Sequence, residues 1–292
     1  MSEVFQTPTA RLRALIDREI PATIPLALDP ISAKIAERAG FEALYLGGGT
    51  LGYVKTGTEA NLSLTQMVQA GIEIRAASTL PLILDGQCGW GDAMHVRYTM
   101  NTAEAAGFAA IEIEDQLMPK RAHHHIGIEH LIPVEHMVEK IKVAVSARRD
   151  PNFIVIGRTN ACRTPDIDDA VRRAEAYKNA GADMLLILPK TPEEARTIGE
   201  RVEGPLLYMA LRGIASIGMT NAELGRLGYR LVVESLTPFY AAQRALRLCY
   251  ESLARGEQDP ALVGDIEEEN RHIHAVIGLP DMLAIERRTV EG

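Results

Sequence analysis

The sequence predicts a closed (β/α)8 barrel. Short apolar runs alternate with helical patterns through most of the 292 residues, and eight such pairs can be recognised between residues 25 and 254. The runs are apolar on both faces, as is typical of parallel strands that are covered by helices. Eight units in this length favour a barrel of the TIM type over the alternative, an open doubly wound sheet. No segment has the composition of a linker, so we expect one domain over residues 1–292.

The predicted strands are, in order, residues 25–28, 43–46, 81–85, 109–115, 153–158, 184–188, 205–209 and 230–235. The predicted helices after them cover about 31–39, 64–77, 93–106, 134–148, 167–179, 192–202, a short stretch from 221, and 238–254. The N-terminal twenty residues have the pattern of a short helix. A polar helical segment and the apolar end LPDMLAIE form a helical C-terminal extension of about 255–292, and such an end often packs on a neighbour or a partner subunit.

Composition excludes several classes of function. The net charge of −8 argues against a general nucleic-acid binder. No run of about 18 apolar residues predicts a membrane-spanning helix, and the N-terminus lacks the apolar core of a signal peptide. The cysteines, Cys88, Cys162 and Cys249, lie far apart and match no zinc spacing. We therefore expect reduced thiols and a cytoplasmic protein.

The glycine-rich segment GGGTLG, residues 47–52, formally fits the dinucleotide-binding pattern GxGxxG. It follows the second predicted strand, and the sequence does not indicate that it opens directly into a helix. It is therefore weak support for dinucleotide binding.

Polar residues collect where the predicted strands end, which is where barrel enzymes carry their active sites. The residues at these ends are Asp29, Gly47–Gly49, Asp85, Glu112, Glu114, Asp115, Arg158, Leu188, Met209 and Glu234. Carboxylates on separate strands suit Mg²⁺, the glycines allow backbone N–H groups to approach an anion, and an arginine can grip a carboxylate with two hydrogen bonds. The alternative is a set of structural ion pairs around the barrel rim.

Four segments of the chain resemble the isocitrate lyase/phosphoenolpyruvate mutase superfamily in order, spacing and predicted context. They are LALDPISAKIAERAGFEALYLGGG, ILDGQCGWGDA, IEIEDQLMPKRAHHHIG and IGRTNA, and the similarity runs from about Pro25 to Ala254. The resemblance implies a homotetramer that exchanges C-terminal helices between subunits. It also implies Mg²⁺, or alternatively Mn²⁺, and a small 2-oxo or 2-hydroxy carboxylic acid whose C–C or P–C bond is made or broken through an enolate.

The resemblance also implies roles for individual residues. The metal site would comprise Asp85 as direct ligand, Glu114 through bound water, Glu59 in the loop TGTEANL, and Gln87 at the position of a second acid. The substrate would be bound by Arg158 and by backbone donors of Gly47, Gly48, Gly49 and Thr50, and the catalytic residues would include Arg158 and the gating-loop residues Lys120 and His124. Beside the resemblance, Leu46, Asp85 and Tyr208 are further candidates for binding substrate, although a strand-end tyrosine is more often a packing residue, and His123 is a further catalytic candidate.

The chain departs from the family's pattern at several of these positions. The lyases carry Lys-Lys-Cys-Gly-His in the loop, whereas this chain has Ala122 at the cysteine position and so lacks the thiol. Gln87 replaces an aspartate, which removes one negative charge from the metal site. Leu188 and Met209 replace a glutamate and an asparagine. The pocket should therefore be more apolar, which argues against a tricarboxylate substrate such as isocitrate.

The loop contains four histidines, His123, His124, His125 and His130, which allow three interpretations. His123 and His125 could face one point, and one histidine could replace the missing thiol as general acid or base. The loop could instead be a solvent-exposed lid. A soft-metal site is the third interpretation, although no conventional zinc spacing supports it. Cys88 could also stand in for the thiol, or it could be a small buried apolar residue.

These observations leave four hypotheses for function. The first is a Mg²⁺-dependent carbon–carbon lyase in which His123 or His124 replaces the cysteine. The second is a decarboxylase of the oxaloacetate type, which makes its enolate without an initial protein base. The third is phosphorus–carbon chemistry on a phosphonate, and the fourth is a non-catalytic ligand-binding barrel. The sequence favours the lyase, with the decarboxylase next.

Overall fold

The computed structural model describes residues 6–163, 167–262 and 266–290. Its strands are β1 (Ala22–Pro25), β2 (Leu44–Leu46), β3 (Leu82–Asp85), β4 (Ala110–Glu114), β5 (Ile154–Thr159), β6 (Met184–Ile187), β7 (Leu206–Met209) and β8 (Tyr229–Glu234). The α-helices in these residues are α1 (Pro8–Ile16), α2 (Pro30–Arg38), α3 (Gly48–Lys55), α4 (Leu64–Ala77), α5 (Ala93–Ala105), α6 (Val134–Ala147), α7 (Ile167–Asn179), α8 (Pro192–Arg201), α9 (Asn221–Arg226), α10 (Thr237–Ala254), α11 (Ile266–Ile277) and α12 (Leu279–Thr289).

The eight strands form one parallel barrel. From β2 to β8 each strand pairs with the next one along the chain, and β1 pairs with β8. The ring closes between β1 and β2, where Leu26 and Tyr45 form a parallel bridge and Ala27 N–H donates to the Tyr45 carbonyl at 2.9 Å. The predicted (β/α)8 fold is therefore confirmed. The exchange of C-terminal helices between subunits stays a prediction.

Side chains alternate between two layers along each strand, as the pleat of a β-strand requires. In β2, Leu44 and Leu46 pack in the outer core beneath the helices, whereas Tyr45 packs inside the barrel. In β7, Leu207 and Met209 point inward, and Tyr208 packs outward. The inward residue nearest the carboxyl end of each strand therefore determines what the barrel mouth contains.

Helix α1 closes the opposite end of the barrel. Thr7 caps the helix with its hydroxyl group, and Pro8 fits the first turn, where no N–H donor is needed. Leu12 and Leu15 of this helix are buried in the inner core. Arg13 anchors the helix through a 2.7 Å ion pair with Asp183. Helix α1 therefore closes the barrel at the amino ends of the strands, and the barrel is open at their carboxyl ends.

Two local predictions were wrong. The first strand covers Ala22–Pro25 and not 25–28, because Ala22–Pro25 pairs in register with β8, and only Leu26 and Ala27 continue the sheet beyond it. The glycine segment does open directly into a helix, since α3 begins at Gly48 immediately after Gly47. Glycine lowered the predicted helix content there, but the packing of this turn against the barrel mouth overrides that propensity.

The helices beyond the barrel lie in the predicted C-terminal extension. Helix α11 packs against α2 of the same chain, where Arg38 donates to the Ala275 carbonyl at 2.9 Å. Helices α10 and α12 carry large exposed apolar side chains, among them Leu246, Tyr250, Leu253 and Met282. No helix among the described residues combines the length and apolar character that a membrane crossing requires.

A fully buried carboxylate, Asp115, joins the barrel to its helices just beyond β4. It accepts hydrogen bonds from the hydroxyl groups of Thr159 and Tyr177, both at 2.7 Å, and from Asn160 N–H at 3.1 Å. Arg173 of α7 forms an ion pair with it at 3.2 Å. This residue fits the interpretation of rim acids as structural ion pairs, and it fixes the end of β5.

We predict that Asp115→Asn lowers the free energy of unfolding by about 3–5 kcal/mol, because it leaves the buried Arg173 charge short of a partner. Glu42→Gln is the matched control, since Glu42 pairs with Arg18 on the exposed surface and should cost less than about 1 kcal/mol. Urea unfolding followed by circular dichroism measures both. Equal losses in the two variants would contradict the structural role of Asp115.

Candidate active site

A cavity of about 360 Å³ opens at the carboxyl ends of the strands. Its polar wall contains inward residues of three strands, Tyr45, Asp85 and Arg158. The segment after β4 covers this wall with His124 and His125. The volume lies within the range of small-molecule sites.

Lys120 is the buried cation of this site, with 3% of its side chain exposed. Its ammonium group lies 2.8 Å from Glu59 Oε1 and 2.5 Å from Glu114 Oε1. His124 Nε2 also lies 2.8 Å from Glu59 Oε1. Gly52 makes this arrangement possible, because a Cβ atom there would lie 2.3 Å from the Glu59 backbone nitrogen. The lid segment (residues 120–126), the loop after α3 and strand β4 therefore meet at one cation.

The protonation states in this cluster follow from its charges. Burial alone would raise the pKa of Glu59, but Lys120 and the hydrogen bond with His124 outweigh burial and lower the pKa. Burial would lower the pKa of Lys120, but Glu114 and Glu59 raise it above its usual value. Burial also opposes the charge on His124, whereas its contact with Glu59 raises the pKa of this histidine. Lys120 is therefore a permanent cation and cannot serve as a base, whereas His124 is disposed to hold a proton.

Arg158 lies on the other side of the acids. Its Nη1 donates to Glu112 at 2.6 Å, and its Nε donates to the Asn160 side chain at 3.1 Å and lies 3.2 Å from Glu114. In the described part of the chain Nη2 makes no hydrogen bond, so it remains free to meet a ligand. A substrate carboxylate would therefore have to accept its hydrogen bonds from Arg158 through Nη2.

Tyr45 connects the cavity to a second buried acid. Its hydroxyl group donates to Glu112 Oε2 at 3.2 Å. Burial raises the pKa of Glu112 to about 7, although Arg158 opposes this. Burial likewise raises the pKa of Tyr45 far above its usual value. The phenol is therefore protonated at neutral pH and lies between the cavity and a carboxyl group.

The N-terminus of α3 faces the cavity. Gly48 N–H donates to Asp85 Oδ2 at 2.8 Å, and a Cβ atom on Gly48 would lie 3.1 Å from this oxygen. The next two N–H groups, of Gly49 and Thr50, make no hydrogen bond in the described part of the chain, and both residues line the cavity. The first turn of a helix offers such free donors, together with positive potential, to an anion. Gly47, at the helix cap, also lines the cavity.

Asp85 and Gln87 form the centre of the predicted metal site. Gln87 N–H donates to Asp85 Oδ1 at 3.0 Å, and burial raises the pKa of Asp85. The buried Gln87 Nε2 has no hydrogen-bond partner in the described residues. The described part of the chain contains no group of three or more His, Cys, Asp or Glu side chains that could hold a metal ion by themselves. Glu114 is paired with Lys120, Arg158 and Asn160.

The donor set nevertheless fits a hard divalent cation. Four acids, Glu59, Asp85, Glu112 and Glu114, cluster at the polar wall beside two buried cations, Lys120 and Arg158, and His124, whereas Arg212 and His125 line the cavity elsewhere. The mutual repulsion of these acids would be relieved by added positive charge. Asp85 accepts one hydrogen bond on each oxygen and keeps lone pairs. A cation held by one carboxylate and several waters needs no more protein ligands than this.

The opposite wall of the cavity is apolar. Leu188, Met209, Leu211 and Leu236 line it. Leu188 and Met209 occupy the positions at which the sequence predicted a loss of polar groups, and both are buried. The cavity therefore has a charged side and an apolar side.

The histidines of the loop do not act as a group. His123 is exposed, and its Nδ1 lies 2.9 Å from Nε2 of His130. His125 stacks on Tyr53 and contacts Thr58 at 2.8 Å. The expectation that His123 and His125 face one point is therefore wrong, because this short 3-10 turn, Ala122–Ile126, places His124 and His125 towards the cavity instead.

Two predicted substrate residues lie on the other face of their strands. Leu46 and Tyr208 both pack in the outer core, so neither side chain lines this cavity. Tyr208 packs edge-on against Tyr229. Tyr208 was a candidate as a tyrosine at a strand end, but alternation along the strands turns Tyr45 and Met209 towards the cavity instead. Residues missed altogether include Tyr53, Arg212 and Ser235.

The cysteines lie outside the cavity. Cys88 is fully buried, its Sγ lies 3.9 Å from Glu114 Oε1, and burial raises the pKa of its thiol. Burial also raises the pKa of Cys162, to about 12. Neither thiol is a ready nucleophile or proton donor at neutral pH. All three cysteines are free.

Comparisons with known proteins agree with the predicted family. The family model described as phosphoenolpyruvate phosphomutase matches residues 12–254. The 2,3-dimethylmalate lyase of Eubacterium barkeri is 34% identical over 289 residues, which cover 97% of this chain and 98% of the relative. The oxaloacetate decarboxylase of Paraburkholderia xenovorans (strain LB400) is 36% identical over 204 residues, 69% of this chain and 68% of the relative.

A solved structure gives the same result for the fold. A phosphonopyruvate hydrolase in complex with oxalate and Mg²⁺ matches with a TM-score of 0.86 and 29% identity, covering 98% of this chain and 100% of that one. The predicted lyase class agrees with the relatives, since one is named a lyase and another a decarboxylase. By sequence and by fold, the chain belongs to the phosphoenolpyruvate mutase/isocitrate lyase superfamily.

Proposed function

We propose that this protein is a Mg²⁺-dependent carbon–carbon lyase that acts on a small 2-hydroxy or 2-oxo carboxylic acid through an enolate. The observation that carries the proposal is the two-sided cavity. One side combines Asp85, Arg158 and the free N–H groups of α3, and the other side is apolar. Such a site can fix one anionic end of a small acid and leave its carbon chain in apolar surroundings.

The chain's own residues determine where Mg²⁺ would bind. Asp85 would be the direct ligand, while Glu59, Glu114 and Gln87 would bind waters around the ion. Bound there, Mg²⁺ supplies Lewis-acid polarisation of a carbonyl or enolate oxygen. The structure of the hydrolase bound to oxalate and Mg²⁺ supports this choice of ion.

The substrate carboxylate would bind between Arg158 Nη2 and the N–H groups of Gly49 and Thr50. These donors are fixed before the substrate arrives, because Glu112 holds the guanidinium group and the helix holds its own backbone. Preorganised donors stabilise negative charge without the cost of reorganisation during the reaction.

Proton movements complete the cleavage of a 2-hydroxy acid whose C3 carries a second carboxylate, which accepts the electron pair. The substrate hydroxyl proton passes to the Tyr45 oxygen as the Tyr45 proton passes to Glu112, which is its hydrogen-bond partner. The C2–C3 bond then breaks, C2 becomes a carbonyl carbon, and the electron pair forms an enolate at C3. His124 protonates C3, which replaces the thiol that is absent at Ala122.

Decarboxylation of a 2-oxo diacid is the second candidate. The apolar wall favours it, because charge leaves the carboxylate as CO₂ forms and an apolar contact stabilises the uncharged product. The relative named oxaloacetate decarboxylase supports it as well. His124 would serve the same role in protonating the enolate.

The assembly would be a homotetramer in the cytoplasm. The exposed apolar side chains of α10 support association with other copies, since Leu246, Tyr250 and Leu253 are spaced to lie on one face of the helix and such a face is normally covered. Helix exchange between subunits would cover it.

We predict that a mass-spectrometric screen of 2-hydroxy diacids, 2-oxo diacids and phosphonopyruvate will find turnover only with Mg²⁺. Asp85→Asn should lower kcat about 1,000-fold or more, because the metal's contribution amounts to several kcal/mol. Thermal unfolding gives an independent reading, since Mg²⁺ should raise the Tm of the wild type and leave that of Asp85→Asn unchanged. Equal stabilisation of both proteins would place the ion elsewhere, and phosphonopyruvate as sole substrate would favour P–C chemistry.

We predict that His124→Gln lowers kcat about 100- to 10,000-fold, as expected for loss of a general acid. With a 3-alkyl 2-hydroxy diacid in D₂O, the wild type should label one face of the product acid. The variant should give a racemic label, because water then protonates the enolate. His123→Gln is the matched control and should retain both rate and stereochemistry, since His123 faces His130. A fall in kcat and a racemic label in His123→Gln but not in His124→Gln would contradict the assignment of His124 as the general acid.

We predict that Cys88→Ala retains turnover within about 3-fold of the wild type. The thiol lies outside the cavity, and the expected cost is one of stability, about 1 kcal/mol for a small buried group. Steady-state kinetics with the substrate found in the screen measures this. A drop of kcat beyond that range, in a variant that is still folded by circular dichroism, would restore Cys88 as the substitute for the thiol.

A further inference from the structure

The apolar side of the cavity contains one charged group that the proposed mechanism does not use. Arg212, in the loop after β7, is exposed and lines both the main cavity and a neighbouring cavity of about 500 Å³. Within residues 6–163, 167–262 and 266–290 it makes no hydrogen bond or ion pair. Glu59, Asp85, His124 and Arg158, which also line the main cavity, are all engaged.

A second, independent observation lies next to this arginine. Ser235, just beyond β8, lines the same cavity and is buried, and its hydroxyl group has no hydrogen-bond partner in the described residues. A buried hydroxyl group without a partner is costly unless a ligand satisfies it. The loop with Arg212 and the end of β8 are close, since a Cβ atom on Gly213 would lie 3.9 Å from the Glu234 carboxyl group.

We propose that Arg212, assisted by the Ser235 hydroxyl group, binds the second carboxylate of a dicarboxylic substrate and determines selection for diacids. This rests on the proposed function, which places the first carboxylate at Arg158 and α3. Leu188, Met209 and Leu211 surround the path between the two ends. A guanidinium group can bind a carboxylate with two parallel hydrogen bonds, and the buried Ser235 hydroxyl group would add a third donor.

This assignment also separates the two candidate reactions. In the lyase reaction, the second carboxylate stays on the carbon that becomes the enolate, and it gains negative charge as the C2–C3 bond breaks. In decarboxylation that same carboxylate loses its charge and leaves as CO₂. A cation at this position stabilises the transition state of the first reaction and the ground state of the second. Arg212 therefore favours cleavage of the C2–C3 bond of a 2-hydroxy diacid over decarboxylation of a 2-oxo diacid.

Glu234 provides the competing explanation. Its buried Oε2 has no partner in the described residues, so a purely structural Arg212 would turn towards this acid. In that case Glu234→Gln would reproduce the effects of Arg212→Gln. If Arg212 binds substrate, Glu234→Gln should leave ligand selection unchanged.

The test compares malate with 2-hydroxybutyrate, which has a methyl group in place of the second carboxylate. Calorimetric titration in Mg²⁺ should find malate bound about 10- to 100-fold more tightly, as expected for hydrogen bonds to a charged group. Arg212→Gln should abolish this difference and leave the Kd of 2-hydroxybutyrate within 2-fold. Arg212→Lys should restore part of it, and Ser235→Ala should reduce it.

Two outcomes would overturn the proposal: no preference for malate in the wild type, or equal weakening of both ligands by Arg212→Gln. Kinetics provide a further readout, since Arg212→Gln should raise KM for both diacids, lower kcat for cleavage of a 2-hydroxy diacid at least 10-fold, and leave kcat for CO₂ release from oxaloacetate undiminished. A preference for malate without any turnover would leave the subsite standing and reject the lyase. Turnover of 2-hydroxy diacids without a binding preference for malate would support the lyase and reject the Arg212 subsite.

Discussion

The buried ammonium group of Lys120 is the interaction on which the site depends. It neutralises Glu59 and Glu114, which come from a loop after α3 and from a barrel strand, and it joins both to the lid segment. Without it, two carboxylates would face each other in a buried space, and the cost of that exceeds the cost of unpaired surface charges many times over. The ion pairs thus hold three separate parts of the chain at one point, and the cavity takes its shape from that point.

The remaining charges divide the cavity into two functional sides. Asp85 keeps free lone pairs among buried acids and can bind a cation, whereas the α3 N–H groups and Arg158 Nη2 can bind an anion beside it. A metal ion and a carboxylate can therefore bind as neighbours, each stabilising the other. Arg212 on the apolar side has no acid of its own in the described residues, and its charge is available to the ligand alone.

The barrel could be predicted from sequence because eight apolar runs and eight helical patterns are a regular signal. The residues of the site could be predicted only in part. Asp85, Glu59 and Arg158 were found because they lie in motifs or at strand ends, whereas Leu46 and Tyr208 were assigned to the substrate although the pleat turns them outward. Alternation along each strand was available in the sequence and would have corrected both. Arg212 and Ser235 lie in loops, where no periodicity indicates direction.

The lid couples the proposed proton donor to the ion pairs. Lys120 and His124 are four residues apart in one short segment, and both contact the same oxygen of Glu59. Their positions in the site are therefore coupled through this carboxylate. The segment lies over the polar wall of the cavity, so the His124 imidazole faces the space in which the substrate would bind. The carboxylate that anchors Lys120 also raises the pKa of His124, so it stabilises the protonated imidazole that would act as the acid. The loss of the cysteine at Ala122 is thus compatible with catalysis in a closed site.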